Sequence, residues 1–428
     1  MMIRIDPKHS IRRVIVYISL LPLRRKVMII SVLLMGLNYY TAPFGMGLLA
    51  VFSIFEAKSY YRNNRPNLPV RKMIRESIFL IPGIILLFSV VFGALYNGNH
   101  LSALLALIIL APILLTAVLI QFIWTNEDGL HFARYSVMLI LPVSLFAFLF
   151  PWPGRFFIFA RHGSRLMGTF GNPNYFAYIL DLFLLFAAAL FYHAWNKNTR
   201  VRLIIPAAAG FVCLYLTGSR TGLIAFFAGI TILFFIMAEK RIICAFLLSA
   251  SLILVISAVF PETAVKMIAA VFPRTGHLTS GFESRFELWN IALRQINKNP
   301  FVGTGLFTFN KYVPVNAPDV YLKAVHAHNI FLNFWLETGL PGVLSFIWMI
   351  SAVTIKALRT IKNSPFKPYL AAAVAMFAVT TAHGITDAPL MSAQTIAFFG
   401  IFTAAASTGS RKSRSEDDCV LPYKHQKC

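Results

Sequence analysis

The sequence is short of charge. Asp, Glu, Lys and Arg make up 13% of its 428 residues, about half of the roughly 25% carried by a soluble domain. Hydrophobic residues reach 58%, with 40 Phe among them, and one soluble core with a wettable surface cannot enclose that much apolar material. This excludes an ordinary cytosolic enzyme and a nucleic-acid module, and predicts an all-α polytopic membrane protein. Acidic residues are scarcer still, 16 against 39 Lys and Arg, for a net charge of +23. On a soluble protein that balance would indicate a polyanion. In a membrane protein, basic residues first mark the cytoplasmic loops, so no nucleic-acid partner is read. The four cysteines (Cys213, Cys244, Cys419, Cys428) fall at no metal-ligand spacing and form no disulfide framework. No cleaved signal peptide is read, because the hydrophobicity continues far beyond the N-terminal apolar run.

A helix needs about 20 apolar residues to cross the hydrocarbon. Candidate spans cover 77–96, 101–124, 135–152, 175–195, 203–217, 222–238, 242–260, 340–358, 369–383 and 391–406. The run 27–55 is too long for one span, and its middle, Asn38 to Pro43, carries turn chemistry. A short hairpin there gives about 12 spans with both termini in the cytoplasm. It also keeps the basic loop 58–75 inside, as the positive-inside rule requires. The expected organisation is a cytoplasmic segment 1–26, transmembrane helices 1–9 over 27–260, a large external loop 261–339, helices 10–12 over 340–408 and a cytoplasmic tail 409–428. Residues 11–23, bracketed by arginines, read as an amphipathic helix on the inner leaflet.

Several polar residues are not explained by the membrane alone. Arg220 stands in the short external turn Thr217-Gly218-Ser219-Arg220-Thr221-Gly222, where the other such turns have no Lys or Arg. An unpaired arginine at membrane depth costs a few kcal/mol, so it reads either as a guanidinium for a bound anion or as a snorkelling arginine. Arg285 follows the capping-box sequence Ser280-Gly281-Phe282-Glu283, which places a helix start inside the external loop. Phe282, Phe286, Trp289 and Ile296 recur at helical spacing, and Arg285 falls on their side. An anion contact there competes with a solvated surface arginine. His326 and His328 are two apart, so in extended chain they face the same way. Zinc would want three or four ligands, and no third follows at motif spacing. An imidazole, with an ordinary pKa near 6.5, suits a general base; a satisfied structural histidine is the plain alternative. The external acids contain no Asp-x-Asp, and the adjacent pair Glu127-Asp128 is placed in the cytoplasm. There is no P-loop. A diphosphate handled outside would be neutralised by arginines, which grip it bidentately, and the donor would be a pre-activated lipid-linked molecule.

With these residues assembled, the sequence resembles the O-antigen ligase and polymerase superfamily. The ligase signature is a His followed by Asn, Ser or Gln, nine residues, and Gly-x-x-Gly. His328-Asn329, residues 330–338 and Gly339-Leu340-Pro341-Gly342 fit it. Ser284-Arg285 with Trp289, followed by Pro300, Gly303 and Gly305, resembles the family's arginine helix and its glycine-rich sequel. Gly218 to Gly222 resembles its other arginine turn, and Arg165 to Asn174 its external loop before a span. The matching segments run from about Arg165 to Gly342; the first 130 residues agree in topology only. The resemblance implies a GT-C-like fold with short helices in a periplasmic loop, in a bacterial inner membrane. It implies inverting transfer of a glycan from undecaprenyl diphosphate to an acceptor hydroxyl on lipid A–core, with no metal, ATP or other cofactor. By that carry-over Arg220 and Arg285 hold the diphosphate and stabilise the leaving group, with Arg165 as a further phosphate contact. His328 activates the acceptor, which His326, Asn329 and Asp387 contact. A polymerase of O-antigen, capsule or cell-wall polysaccharide has the same domain and differs in acceptor. Transfer of an oligosaccharide to protein fits less well, because those relatives usually carry an extra C-terminal region. A secondary transporter fits twelve spans too, but no internal repeat is visible and Asp181 is the single carboxylate well inside a span.

Overall fold

In a computed structural model of the chain, the described residues are 22–37, 41–64, 75–149, 161–162, 165–193, 197–238, 278–314 and 324–408. The expected inner-leaflet helix, the span 242–260, the start of the large loop and the tail lie outside them.

The apolar runs fold as helices. The first two, α1 (Leu23–Leu37) and α2 (Ala42–Asn64), pack against each other. They are followed by α3 (Leu80–Tyr96), α4 (His100–Ile123) and α5 (Asn126–Leu149). Then come α6 (Pro173–His193), α7 (Lys197–Leu216) and α8 (Arg220–Met237). After the undescribed stretch stand α9 (Leu278–Lys298), a short 3₁₀ turn Phe309–Tyr312, α10 (Ile330–Ile361), α11 (Lys367–Gly384) and α12 (Ala393–Ala406). Among the described residues α4, α6, α8 and α10 are long and apolar enough to cross a membrane. Large apolar side chains such as Phe88, Leu101, Ile205, Ile224, Phe235 and Leu344 point outward. A surface of that kind is stable in lipid, where helices satisfy their own backbone. This is an all-helical membrane protein.

One helix is enclosed. Along α6 every residue from Tyr175 to Ala187 is buried, and α5, α7, α8 and α11 lie against it. Its one carboxylate, Asp181, is placed 3.4 Å from His383 Nδ1 on α11, with neither residue exposed. Tyr178 on the same helix bonds Thr380 of α11 at 2.8 Å.

Three elements depart from the sequence reading. The helix expected from Tyr135 begins at Asn126, because Thr125 and Asp128 cap it reciprocally, the Thr125 amide donating to Asp128 Oδ2 at 2.8 Å and the Asp128 amide to Thr125 Oγ1 at 3.3 Å. Asp128 also pairs with Arg24 at 2.9 Å. The span expected from Leu340 is preceded by another helical piece, Ile330 to Thr338, broken from it at Gly339 (φ 68°, ψ 173°). A two-residue antiparallel pairing, β1 (Arg161–His162) with β2 (Arg165–Leu166), precedes α6.

The break at Gly339 frees helix carbonyls that the glycine-rich segment then takes up. Thr304 and Gly305 amides donate to Leu336 O and Glu337 O, both at 2.9 Å, and Leu340 N donates to Pro300 O at 3.1 Å. A Cβ on Gly303 would stand 2.3 Å from Glu337 O, and one on Gly339 would stand 2.4 Å from Phe301 O. This close approach explains the glycines of both motifs. The same segment is fixed to the α3–α4 turn by Asn97, Asn99 and Ser102, which donate to Gly303 O, Thr304 O and Leu306 O.

Candidate functional site

The start of α10 is built by its cap. Asn329 Oδ1 accepts from Phe331 and Leu332 amides at 3.0 Å, as an N-cap should. Its Nδ2 donates to Ile385 O at 3.0 Å, which pins the 385–392 loop beside the histidine segment. Gly384 allows the approach, since a Cβ there would stand 2.3 Å from Ile330 Cγ2. Asn333 holds the same segment from below, accepting from the Ala327 amide at 3.0 Å. Within it His328 adopts φ 49°, a left-handed conformation that costs a non-glycine residue of order 1 kcal/mol or more. Its carbonyl accepts from Trp289 Nε1 at 3.3 Å, which fastens α9 to it.

The carboxylate of Asp387 faces both histidines. Oδ1 lies 3.2 Å from His328 Nδ1 and 3.7 Å from His326 Nε2, and it accepts from the Ala388 amide at 2.8 Å. Burial opposes its ionisation, but the charge and hydrogen bond of His328 outweigh this and hold the carboxyl below its usual range. His326 is buried, and desolvation with the neighbouring His328 lowers its pKa to about 3, so it stays neutral near pH 7. Its Nδ1 accepts from the His328 amide at 3.2 Å, and its ring lies against Tyr175 of α6. His328 is the member that opens outward, with 29% of its side chain exposed.

Two arginines complete the cluster. Arg220 is the first residue of α8, capped by Ser219, whose Oγ accepts from Gly222 N at 3.2 Å. Among the described residues it makes no hydrogen bond or ion pair. Thr221 bonds Thr386 at 2.7 Å, which joins this turn to the Asp387 loop. Arg285 projects from α9, half-buried. Burial pushes its pKa below the ordinary arginine value, Asp387 pushes it back up, and the Arg220 charge pushes it down again. Arg220, Arg285 and Asp387 therefore share one electrostatic neighbourhood. Two guanidinium groups in one neighbourhood with an imidazole are an arrangement that can hold a diphosphate beside a proton acceptor.

The structure brings together Arg220, Arg285, His326, His328 and Asp387. Arg165 donates from Nε to Thr217 O at 2.7 Å and from Nη2 to Asn174 at 2.6 Å. The bond to Thr217 ties it to the Arg220 turn. Asn329 uses its side chain on the cap and on Ile385, and His326 and Asp387 are buried beside His328. Phe286 is exposed, and the packed face of α9 is formed by Leu288, Ala292 and Ile296; Arg285, three, seven and eleven residues before them, lies on their side, as expected. This helix starts at Leu278, two residues ahead of the expected cap. Sequence reasoning found no third metal ligand; folding supplies one. His326, His328 and Asp387 each place a ligand atom within 4.8 Å of the others, a spacing that a divalent ion with an open position would fit. Trp289 and Thr386 gave no separate signal as site residues.

Residues 205–347 match the sequence model of a family described as O-antigen ligase. No curated protein matches the chain. The matched stretch includes Arg220, Arg285, His326, His328 and Asn329, and ends before Asp387.

Proposed function

We propose, from the premise that this chain is a member of the O-antigen ligase and polymerase superfamily, that it is an O-antigen ligase acting on undecaprenyl-diphosphate-linked glycan. The acceptor is a sugar hydroxyl of lipid A–core, reached on the external face of the inner membrane. Arg220 and Arg285 clasp the diphosphate. The acceptor hydroxyl attacks the anomeric carbon while the bond from that carbon to the diphosphate oxygen breaks, and the electron pair departs with the diphosphate. The hydroxyl proton passes to His328. An ionised Asp387 accepts from His328 Nδ1–H, which leaves Nε2 as the base and stabilises the imidazolium that forms. Guanidinium groups that grip the departing diphosphate more tightly than the ground state lower the barrier. Attack from the opposite face inverts the anomeric centre. The step uses neither a metal nor a cofactor.

The observation that supports this most is the shared neighbourhood of Arg220, Arg285 and Asp387 beside a partly exposed His328. The test uses purified protein, lipid-linked glycan and lipid A–core. Arg220→Ala and Arg285→Ala abolish transfer and weaken donor binding, whereas His328→Ala abolishes transfer with donor still bound. Intact transfer in both arginine variants, accompanied by lost solute uptake, would point to a transporter instead. Polymerase activity is separated by acceptor: elongation of the lipid-linked glycan itself, with lipid A–core ignored, overturns the ligase assignment.

A further inference from the structure

A second cationic site lies at the opposite end of the bundle. Helix α6 leaves the first site at Tyr175, which touches His326, and ends at His193. At 1.5 Å per residue its 21 residues span about 30 Å, one hydrocarbon thickness. There α5, α6 and α7 enclose a cleft of about 630 Å³, counted with its open mouth. Its polar lining is His131, Arg134, His193 and Arg202, and its apolar lining includes Met138 and Leu203.

Among the described residues neither Arg134 nor Arg202 makes a hydrogen bond or ion pair. The nearby acid, Glu127, is 3.5 Å from His131, and Arg200 sits over the Phe191 ring at 5.5 Å. Two exposed guanidinium groups beside an apolar wall, about one hydrocarbon thickness along α6 from the first site, match a ligand with a phosphate at one end and hydrocarbon at the other. A topology signal would need the charges but no walled cleft between three helices.

We propose that this cleft binds an anionic phospholipid, with its headgroup phosphate between Arg134 and Arg202 and an acyl chain along Met138 and Leu203. The site is independent of the transfer chemistry assigned above.

The experiment uses the full chain, purified and stripped of lipid, titrated with vesicles of phosphatidylcholine alone or mixed with phosphatidylglycerol. Bound lipid is read by native mass spectrometry. The expected result is selective retention of phosphatidylglycerol, weakened roughly tenfold or more in Arg134→Gln/Arg202→Gln. Arg134→Lys/Arg202→Lys, which keeps the charge, retains most of it and controls for folding. Equal retention by wild type and the glutamine variant overturns the proposal. So does displacement of the lipid by inorganic phosphate, which would make this a soluble-anion site.

Discussion

Replacing Asp387 by asparagine keeps the side chain's shape and removes its charge. At the 3.2 Å that separates Oδ1 from His328 Nδ1, unit charges attract by about 5 kcal/mol at an effective dielectric of about 20. His328 is 29% exposed, and water screens away roughly half of that attraction, leaving about 2.5 kcal/mol for the imidazolium formed as the acceptor loses its proton. Asparagine also presents the wrong partner to Nδ1 when its amide faces the ring, which disturbs the tautomer. The turnover of Asp387→Asn should therefore fall roughly 100-fold, with donor affinity almost unchanged. Transfer rates with saturating donor, beside a separate donor-binding measurement, decide the matter. Activity within about threefold of wild type, or lost donor binding at normal turnover, would refute the role given to this carboxylate.

Four further outcomes follow from the same geometry. Gly339→Ala forces a Cβ 2.4 Å from Phe301 O at φ 68°, costing about 2 kcal/mol or more; size-exclusion profiles should show loss of the folded species. His326, held at about 3 when folded against an ordinary 6.5, takes up its proton first in the unfolded chain as pH falls. Its contribution to stability is therefore whole above about 6.5 and shrinks toward 3; the thermal midpoint should drop between pH 7 and 5, by about 2 kcal/mol in stability, and His326→Asn should flatten that slope. Arg165→Gln should slow transfer about tenfold by loosening the Arg220 turn, yet add almost nothing in an Arg220→Ala background, because the two act through one element. Prolonged chelation should leave the transfer rate unchanged; lost activity restored by a divalent metal would assign the His326–His328–Asp387 cluster to metal binding.

Helix positions were legible because runs of about 20 apolar residues leave few alternatives. Arg220, Arg285 and His328 were legible for the converse reason, as polar residues standing out against an apolar background. What stayed hidden depends on long-range contact. Asp387 entered the site only through the family resemblance; it lies 59 positions from His328, and no local pattern announces that they meet. The bracing by Arg165 was invisible because its acceptor is a backbone carbonyl, Thr217 O, and carbonyls carry no sequence signal. Gly339 could be noticed as part of a motif, but its helix break rests on the approach of Phe301 and Gly303, which only packing determines. The exposure of Phe286 was misread because apolar periodicity does not say which of two adjacent faces is covered.

The enclosure of α6 bears on how the protein is made. A segment that touches protein on nearly every side must first be released into lipid, with Asp181 still lacking His383, which is synthesised some two hundred residues later. Biogenesis thus passes through a stage in which an unpaired acid is parked in the bilayer until α11 arrives. Substitutions on the inner side of either helix should then show up as failed maturation and proteolysis of the nascent chain.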